Sequence, residues 1–131
     1  MIVVDASVVL EVLLRTPAAQ AVEQRLFAEG QSLQAPHLID LEVIQVLRRF
    51  SASRQIRPEH GPAAVDRFSE FPIRRYPHRI LLTRIWELRH NLTAYDAAYV
   101  ALAEAIGAPL LTADRKLARA PGIECEVELL A

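Results

Sequence analysis

The sequence predicts an α/β fold, a three-layer α/β/α sandwich around a mostly parallel central sheet, on three observations. Short all-apolar runs, Ile2 to Val4 first among them, suit strands buried on both faces. Longer segments between these runs carry apolar residues at helical spacing. Glycine and proline punctuate the two kinds of segment, with no internal repeat and no flexible linker.

Residues 2–4 form the first strand, and a helix is expected from about Ser7, a good N-cap residue. A second helix should run from Pro17 to about Glu29, with Gly30 as its stop. Leu33 to Ala35 reads as a second strand. From Leu38 to Phe50, Ile39, Val43, Val46, Leu47 and Phe50 recur at helical spacing and define one buried stripe. Residues 58–71 read as helix, Phe71 to Tyr76 as a turn into a strand, and Arg79 to Leu88 as helix again. Thr93 opens an alanine-rich helix that reaches Ile106, where Gly107 and Pro109 stop it. Leu110 and Leu111 make a further buried strand, and Glu124 to Val127 the last one.

At 131 residues the chain fits one domain, 1–131, large enough to bury a core. The apolar run at the N-terminus is broken at once by Asp5, and no later stretch approaches the roughly 20 apolar residues of a membrane helix. No signal peptide and no span are expected. Cys125 is the single cysteine, so no internal disulfide is available and a cytoplasmic setting is expected. The net charge of −1 hides an asymmetry: residues 48–89 hold ten arginines against Glu59, Asp66, Glu70 and Glu87. Arginine suits bidentate contact with phosphate, although for any one of these side chains a solvated helix face is the commoner role.

In an open parallel sheet, ligands bind beyond the carboxyl ends of the strands. Asp5 follows Ile2-Val3-Val4 and Asp114 follows Leu110-Leu111-Thr112, so both should project at one edge. Each could instead cap the next helix. Glu42 lies near the edge of the stripe made by Ile39, Val43 and Val46, where a carboxylate needs a partner, Arg49 or a cation. Asp40 sits about 200° around that helix from Glu42, so the two cannot enter one site, and Asp40 serves as a first-turn charge. Asp96, three residues after Thr93, has capping as its bland alternative. The small residues around it let its helix pack closely on the sheet and carry Asp96 toward the same edge.

These stretches, Val3-Val4-Asp5-Ala6-Ser7, Glu42 within an apolar helix, Tyr95-Asp96-Ala97-Ala98-Tyr99 and Leu111-Thr112-Ala113-Asp114, together resemble the PIN domain. Within it the likeness is to the VapC toxins of toxin-antitoxin pairs, over essentially the whole chain. The resemblance implies a metal-dependent endoribonuclease with Asp5, Glu42, Asp96 and Asp114 as its catalytic and metal-holding acids, and Ser7 and Thr112 as polar supports. Some relatives carry further acids one turn after the last two, where this chain has Tyr99 and Leu117. Magnesium is the implied cofactor, with manganese as a substitute, because a few carboxylates suffice for such hard cations. Metal-activated water would leave a 5′-phosphate and a 3′-hydroxyl. Arg48, Arg49, Arg54 and Arg57 would hold the RNA backbone. A homodimer and a cognate antitoxin that places an arginine among the carboxylates are implied as well.

Other chemistry fares worse. His37, His60, His78 and His90 lack the spacing of a helical zinc pair and read as surface or capping residues. Ser7 has no Gly-x-Ser-x-Gly setting, and no glycine-rich phosphate loop exists. Trp86, Tyr95 and Tyr99 are aromatics on helices, more often core than base-stacking, and Cys125 reads as inert packing. The competing functions are a non-catalytic RNA- or partner-binding domain of the same fold, against which the four intact acids argue, and a phosphorylatable receiver. The latter needs paired acids after the first strand, where Asp5 is followed by Ala6.

Overall fold

The computed structural model describes residues 1–130. Five strands, β1 (Ile2–Val4), β2 (Leu33–Pro36), β3 (Ile73–Tyr76), β4 (Leu110–Thr112) and β5 (Val127–Leu129), form one sheet in the order β3-β2-β1-β4-β5. Every pairing is parallel, so the sheet expected to be mostly parallel is wholly so. The helices are α1 (Ala6–Leu13), α2 (Ala19–Leu26), α3 (Leu38–Ala52), α4 (His60–Ser69), α5 (Leu82–Glu87), α6 (Ala94–Ile106) and α7 (Arg115–Arg119). They complete the α/β/α sandwich. No helix is long and apolar enough to cross a membrane, among the described residues.

The strand order has one switch point, between β1 and β4, where the chain first builds outward through β2 and β3 and then returns to the other side. Such a point leaves a crevice beyond the strand ends. The central strands are short and wholly apolar because helices cover both faces: Ile2, Val3, Val4, Leu110 and Leu111 are all fully buried. α6 supplies much of that cover. Its residues 97 to 103 are all buried, and its alanines let the helix axis approach the sheet where larger side chains would hold it off.

Several boundaries differ from the sequence reading. Ser7 is not the first N-cap: Asp5 is extended and its side chain accepts the Val8 N–H, while Ser7 lies inside α1. The helix expected over 17–29 is confined to Ala19–Leu26, since Phe27 ends it and turns to meet Phe71 edge-on at 5.3 Å. Gly30, at φ 78°, serves the later turn instead. The helix expected over 58–71 spans His60–Ser69. The segment expected as one helix from Arg79 splits into a 3₁₀ turn, His78–Leu81, and α5. Pro77 holds the chain extended just before it, and His78 Nε2 accepts the Leu38 N–H at 2.9 Å, satisfying a free donor at the start of α3. The last strand begins three residues later than expected and ends two later: Val127 pairs with Leu110, and Leu129 with Thr112. At the sheet edge Leu129 is 36% exposed, so the apolar pattern that marks buried strands is weak there.

Gly107 closes α6 in the left-handed conformation, φ 65°, and donates its N–H back to the helix. A Cβ at that position meets nothing within 4 Å, so the cost of adding one is conformational. Gly107→Ala should therefore destabilise the fold by about 1 kcal/mol, and Gly107→Asn by less, because asparagine tolerates that region. Urea denaturation of the three proteins checks the order.

Candidate active site

The crevice at the switch point is a cleft of about 570 Å³, and Asp5, Glu42, Asp96 and Asp114 all line it. Four elements deliver them: the turn after β1, the second turn of α3, the first turn of α6 and the turn after β4. Register explains the pairing of the first and last. Val4 sits beside Leu111, so the residues that follow the two strands emerge together.

Asp5 is the deepest of the four, 6% exposed. Its Oδ1 accepts from the Ser7 hydroxyl at 2.5 Å and the Val8 N–H at 3.2 Å, and its Oδ2 from the Thr112 hydroxyl at 2.5 Å. Ser7 in turn accepts the Ala113 N–H, and Thr112 the Asp114 N–H, both at 3.0 Å. The two hydroxyls thus orient Asp5 and also tie the loop after β4 to the start of α1. Asp114 caps α7, its Oδ1 accepting from Lys116 N–H at 2.8 Å and Leu117 N–H at 3.4 Å. Capping and site roles therefore coincide in Asp5 and Asp114. For Asp96 the cap is Thr93, whose hydroxyl accepts the Asp96 N–H.

Glu42 is not partnered by Arg49. Its Oε1 accepts from the Tyr99 hydroxyl at 2.5 Å. Tyr99 is 1% exposed, and burial together with the Glu42 carboxylate holds its phenol far above the ordinary range, so it stays a donor. The sequence reading missed this role. The signal was there in part: a buried tyrosine in a helix of alanines needs a partner for its hydroxyl, where phenylalanine needs none.

Asp40, placed outside the site by helical phase, does not line the cleft and pairs with Arg75 at 2.8 Å. Arg49 does line the cleft, seven residues and about 10 Å along α3 from Glu42. Arg48 is exposed on the same helix, while Arg54 and Arg57 line other cavities past its C-terminal end. Arg67, Arg75 and Arg84 are spent on ion pairs with Glu23, Asp40 and Glu104. Two aromatics depart from the expected core role: Trp86 is 67% and Tyr95 62% exposed, and Tyr95 lines the cleft.

The acids repel one another. Burial raises Asp5 above the ordinary carboxylate range against its three hydrogen bonds, with Asp96 adding to the rise. Burial also raises Glu42, against the Tyr99 bond, with Asp96 and Asp5 adding. Asp96 is raised by burial and by Asp114. As placed, no three of these or other Asp, Glu, His or Cys side chains close on a single ion among the described residues. A magnesium ion does not require such a cage, since it keeps several waters and takes one or two carboxylates. An all-oxygen donor set at elevated negative potential fits that demand, and offers nothing to a metal that favours nitrogen or sulfur.

Residues 2–123 match the PIN domain family model. The chain belongs to the PIN-domain family. Within it the chain is 46% identical to Ribonuclease VapC1 of Mycobacterium tuberculosis over 129 residues, covering 98% of this chain and 96% of the relative. It is 42% identical to Ribonuclease VapC12 of the same organism over 131 residues, covering all of both chains. These likenesses place this PIN domain among the VapC ribonucleases. The crystal structure of VapBC2 from Rickettsia felis, bound to a DNA fragment from their promoter, superposes with a TM-score of 0.72 over the whole of both chains at 16% identity, a likeness of fold.

Because Asp5, Glu42 and Asp96 hold protons more readily in the PIN fold than in the unfolded chain, the site costs nothing below the ordinary values of 3.8 and 4.5. The cost then grows as pH rises through the raised values and is complete above them. In chelator, Asp96→Asn should match the parent's urea midpoint at pH 3.5 or so and exceed it at neutral pH. Parallel pH profiles for the two proteins would show that the carboxylates do not feel one another.

Proposed function

We propose that this protein is a magnesium-dependent endoribonuclease that hydrolyses RNA phosphodiester bonds as the toxin of a type II toxin-antitoxin pair. One observation carries the reading: Asp5, Glu42, Asp96 and Asp114, drawn from four separate elements, line one cleft at the switch point of the sheet. A non-catalytic RNA-binding domain has no use for mutually repelling acids held in that arrangement, since without a cation they also repel the phosphates of RNA. The names of the M. tuberculosis relatives, both ribonucleases, support the same conclusion.

One or two of the four carboxylates would hold the cation directly and the others through its waters. When bound, it acidifies a water molecule and offsets the charge that develops on the phosphoryl oxygens. The chain's own residues prepare the site for it. Ser7 and Thr112 fix both oxygens of Asp5, so that carboxylate needs no reorientation. Tyr99 holds Glu42 by one oxygen and leaves Oε2 without a side-chain bond. Asp114 uses Oδ1 for its cap and likewise keeps Oδ2. Arg49, at the far end of the cleft, is placed to take a phosphate of the same RNA strand, while Arg48, Arg54 and Arg57 extend the positive surface beyond it. Hydrolysis leaves a 5′-phosphate and a 3′-hydroxyl.

The cognate antitoxin is the partner we assign to the cleft in the inhibited state, with an arginine set among the carboxylates. Leu10, Leu38, Leu41 and Val46, which line the cleft beside the acids, would take the apolar side chains of such a segment. We assign the active form to a homodimer in the cytoplasm, the compartment of its RNA substrate and its antitoxin.

Asp5→Asn, Asp96→Asn and Asp114→Asn should each abolish magnesium-dependent cleavage of a sensitive RNA and relieve growth arrest, whereas Asp40→Asn should do neither. A fully active Asp96→Asn enzyme would sink the proposed site. Magnesium or manganese at one hundred times its dissociation constant should stabilise the parent by about 2.7 kcal/mol. The corresponding rise in melting temperature should be largely absent in Asp5→Asn; an unshifted parent would remove the metal from the proposal.

Cleavage-dead protein should also lose RNA affinity steeply between low and physiological salt, as arginine contacts with phosphates release counterions. Reversing the charge of Arg48 and Arg49 together should flatten that dependence. Affinity that is flat in the parent would make the basic segment a solvated surface.

A further inference from the structure

The Tyr99 hydroxyl and Glu42 join α6 to α3 across the cleft. Tyr95 lies four residues before Tyr99, and Leu38 four residues before Glu42. Each therefore stands one turn nearer the N-terminal end of its helix, on the same face as the bridged residue. Both line the cleft, and Leu41 joins Leu38 there. Tyr95 is 62% exposed and Leu41 72% exposed. A lone exposed leucine is ordinary. Here an open aromatic ring on one helix and two leucines on the other border a cleft that holds four carboxylates, and the ring belongs to the residue next to Asp96. With a cation on those acids to offset their charge, that combination suits a flat, apolar body covalently attached to a phosphate.

We propose that Tyr95, with Leu38 and Leu41, forms a slot for the base of the nucleotide that adjoins the scissile phosphate. Tyr95 is thus a positioning residue: by seating one base it sets which phosphodiester bond lies against the acids. This deepens the nuclease reading and rests on it. Stacking on an aromatic face tolerates every base, so the slot selects the state of the strand and the register of the cut, not base identity. A base within an A-form duplex has both faces covered by its neighbours and cannot enter, so the cut falls at an unpaired nucleotide. The contact uses the ring face, and phenylalanine should serve in place of tyrosine.

The test uses the full chain with magnesium and a short unstructured RNA whose cut position has been mapped, plus copies in which a single abasic ribose is moved one nucleotide at a time. The parent should lose about tenfold in kcat/KM on the copy whose missing base adjoins the cut, the scale of one lost stack, and little on the others. Tyr95→Ala should lose a similar factor on the intact RNA and be indifferent to that abasic position, while Tyr95→Phe should behave as the parent. Because Tyr95 is exposed, the alanine variant should melt with the parent, which separates misfolding from loss of the stack. Multiplying losses, or a Tyr95→Ala enzyme as active as the parent, would overturn the slot; so would a Tyr95→Ala protein impaired only in inhibition by the antitoxin. If the parent cuts no RNA at all, the nuclease reading has failed, and equal affinities for intact and abasic RNA would overturn the slot separately.

Discussion

A buried carboxylate must be hydrogen-bonded or neutralised, and the burial of Asp5 is the constraint around which the centre of this protein is organised. Asp5 follows directly on β1, the middle strand of the sheet, and has 6% of its surface exposed. The fold meets the requirement with two hydroxyls, Ser7 and Thr112, and one backbone donor, Val8. Each hydroxyl accepts in turn from the backbone of the loop after β4. The same bonds that make the charge tolerable therefore bind β1, α1 and β4 into one unit at the switch point. The three bonds do not fully offset the burial, since Asp5 remains raised above its ordinary range. The site keeps an appetite for positive charge.

The other acids follow from that unit. Glu42 and Asp40 lie two residues apart on α3, yet they meet opposite fates: one faces the cleft and takes a tyrosine hydroxyl, the other faces β3 and takes the Arg75 guanidinium. A neutral donor does not offset the repulsion that Glu42 meets from Asp96 and Asp5, whereas the Arg75 guanidinium lies directly against Asp40. The partner, more than the carboxylate, thus decides which acids stay available for chemistry. Tyr99 does a second service by closing α6 on α3, which brings the open ring of Tyr95 to the rim beside the same acids.

Much of this was legible along the chain. The all-apolar runs at 2–4 and 110–111, the stripe on 38–50 and the capped alanine helix all correspond to elements of the structure, because buried parallel strands and amphipathic helices leave periodic traces. The edge strand begins three residues later than its pattern suggested because a half-exposed strand leaves a fainter trace. Helical phase alone separated Glu42 from Asp40. It could not name their partners, for Tyr99 lies 57 residues from Glu42 and Arg75 lies 35 from Asp40.

The sequence by itself determined the class of fold, the order of the strands and of every helix but the short α7 along the chain, and the placing of Asp5 and Asp114 directly after strands, since these depend on periodicity and on neighbours close in the chain. Tertiary structure alone decided the sheet order that opens the cleft, the Tyr99 hydroxyl that holds Glu42, the exposure of Tyr95 and the division of the arginines between ion pairs and open surface. Those outcomes rest on contacts between residues far apart in the chain, whose closure is paid for by burying the common core, and a linear pattern carries no record of which distant group a given side chain will meet.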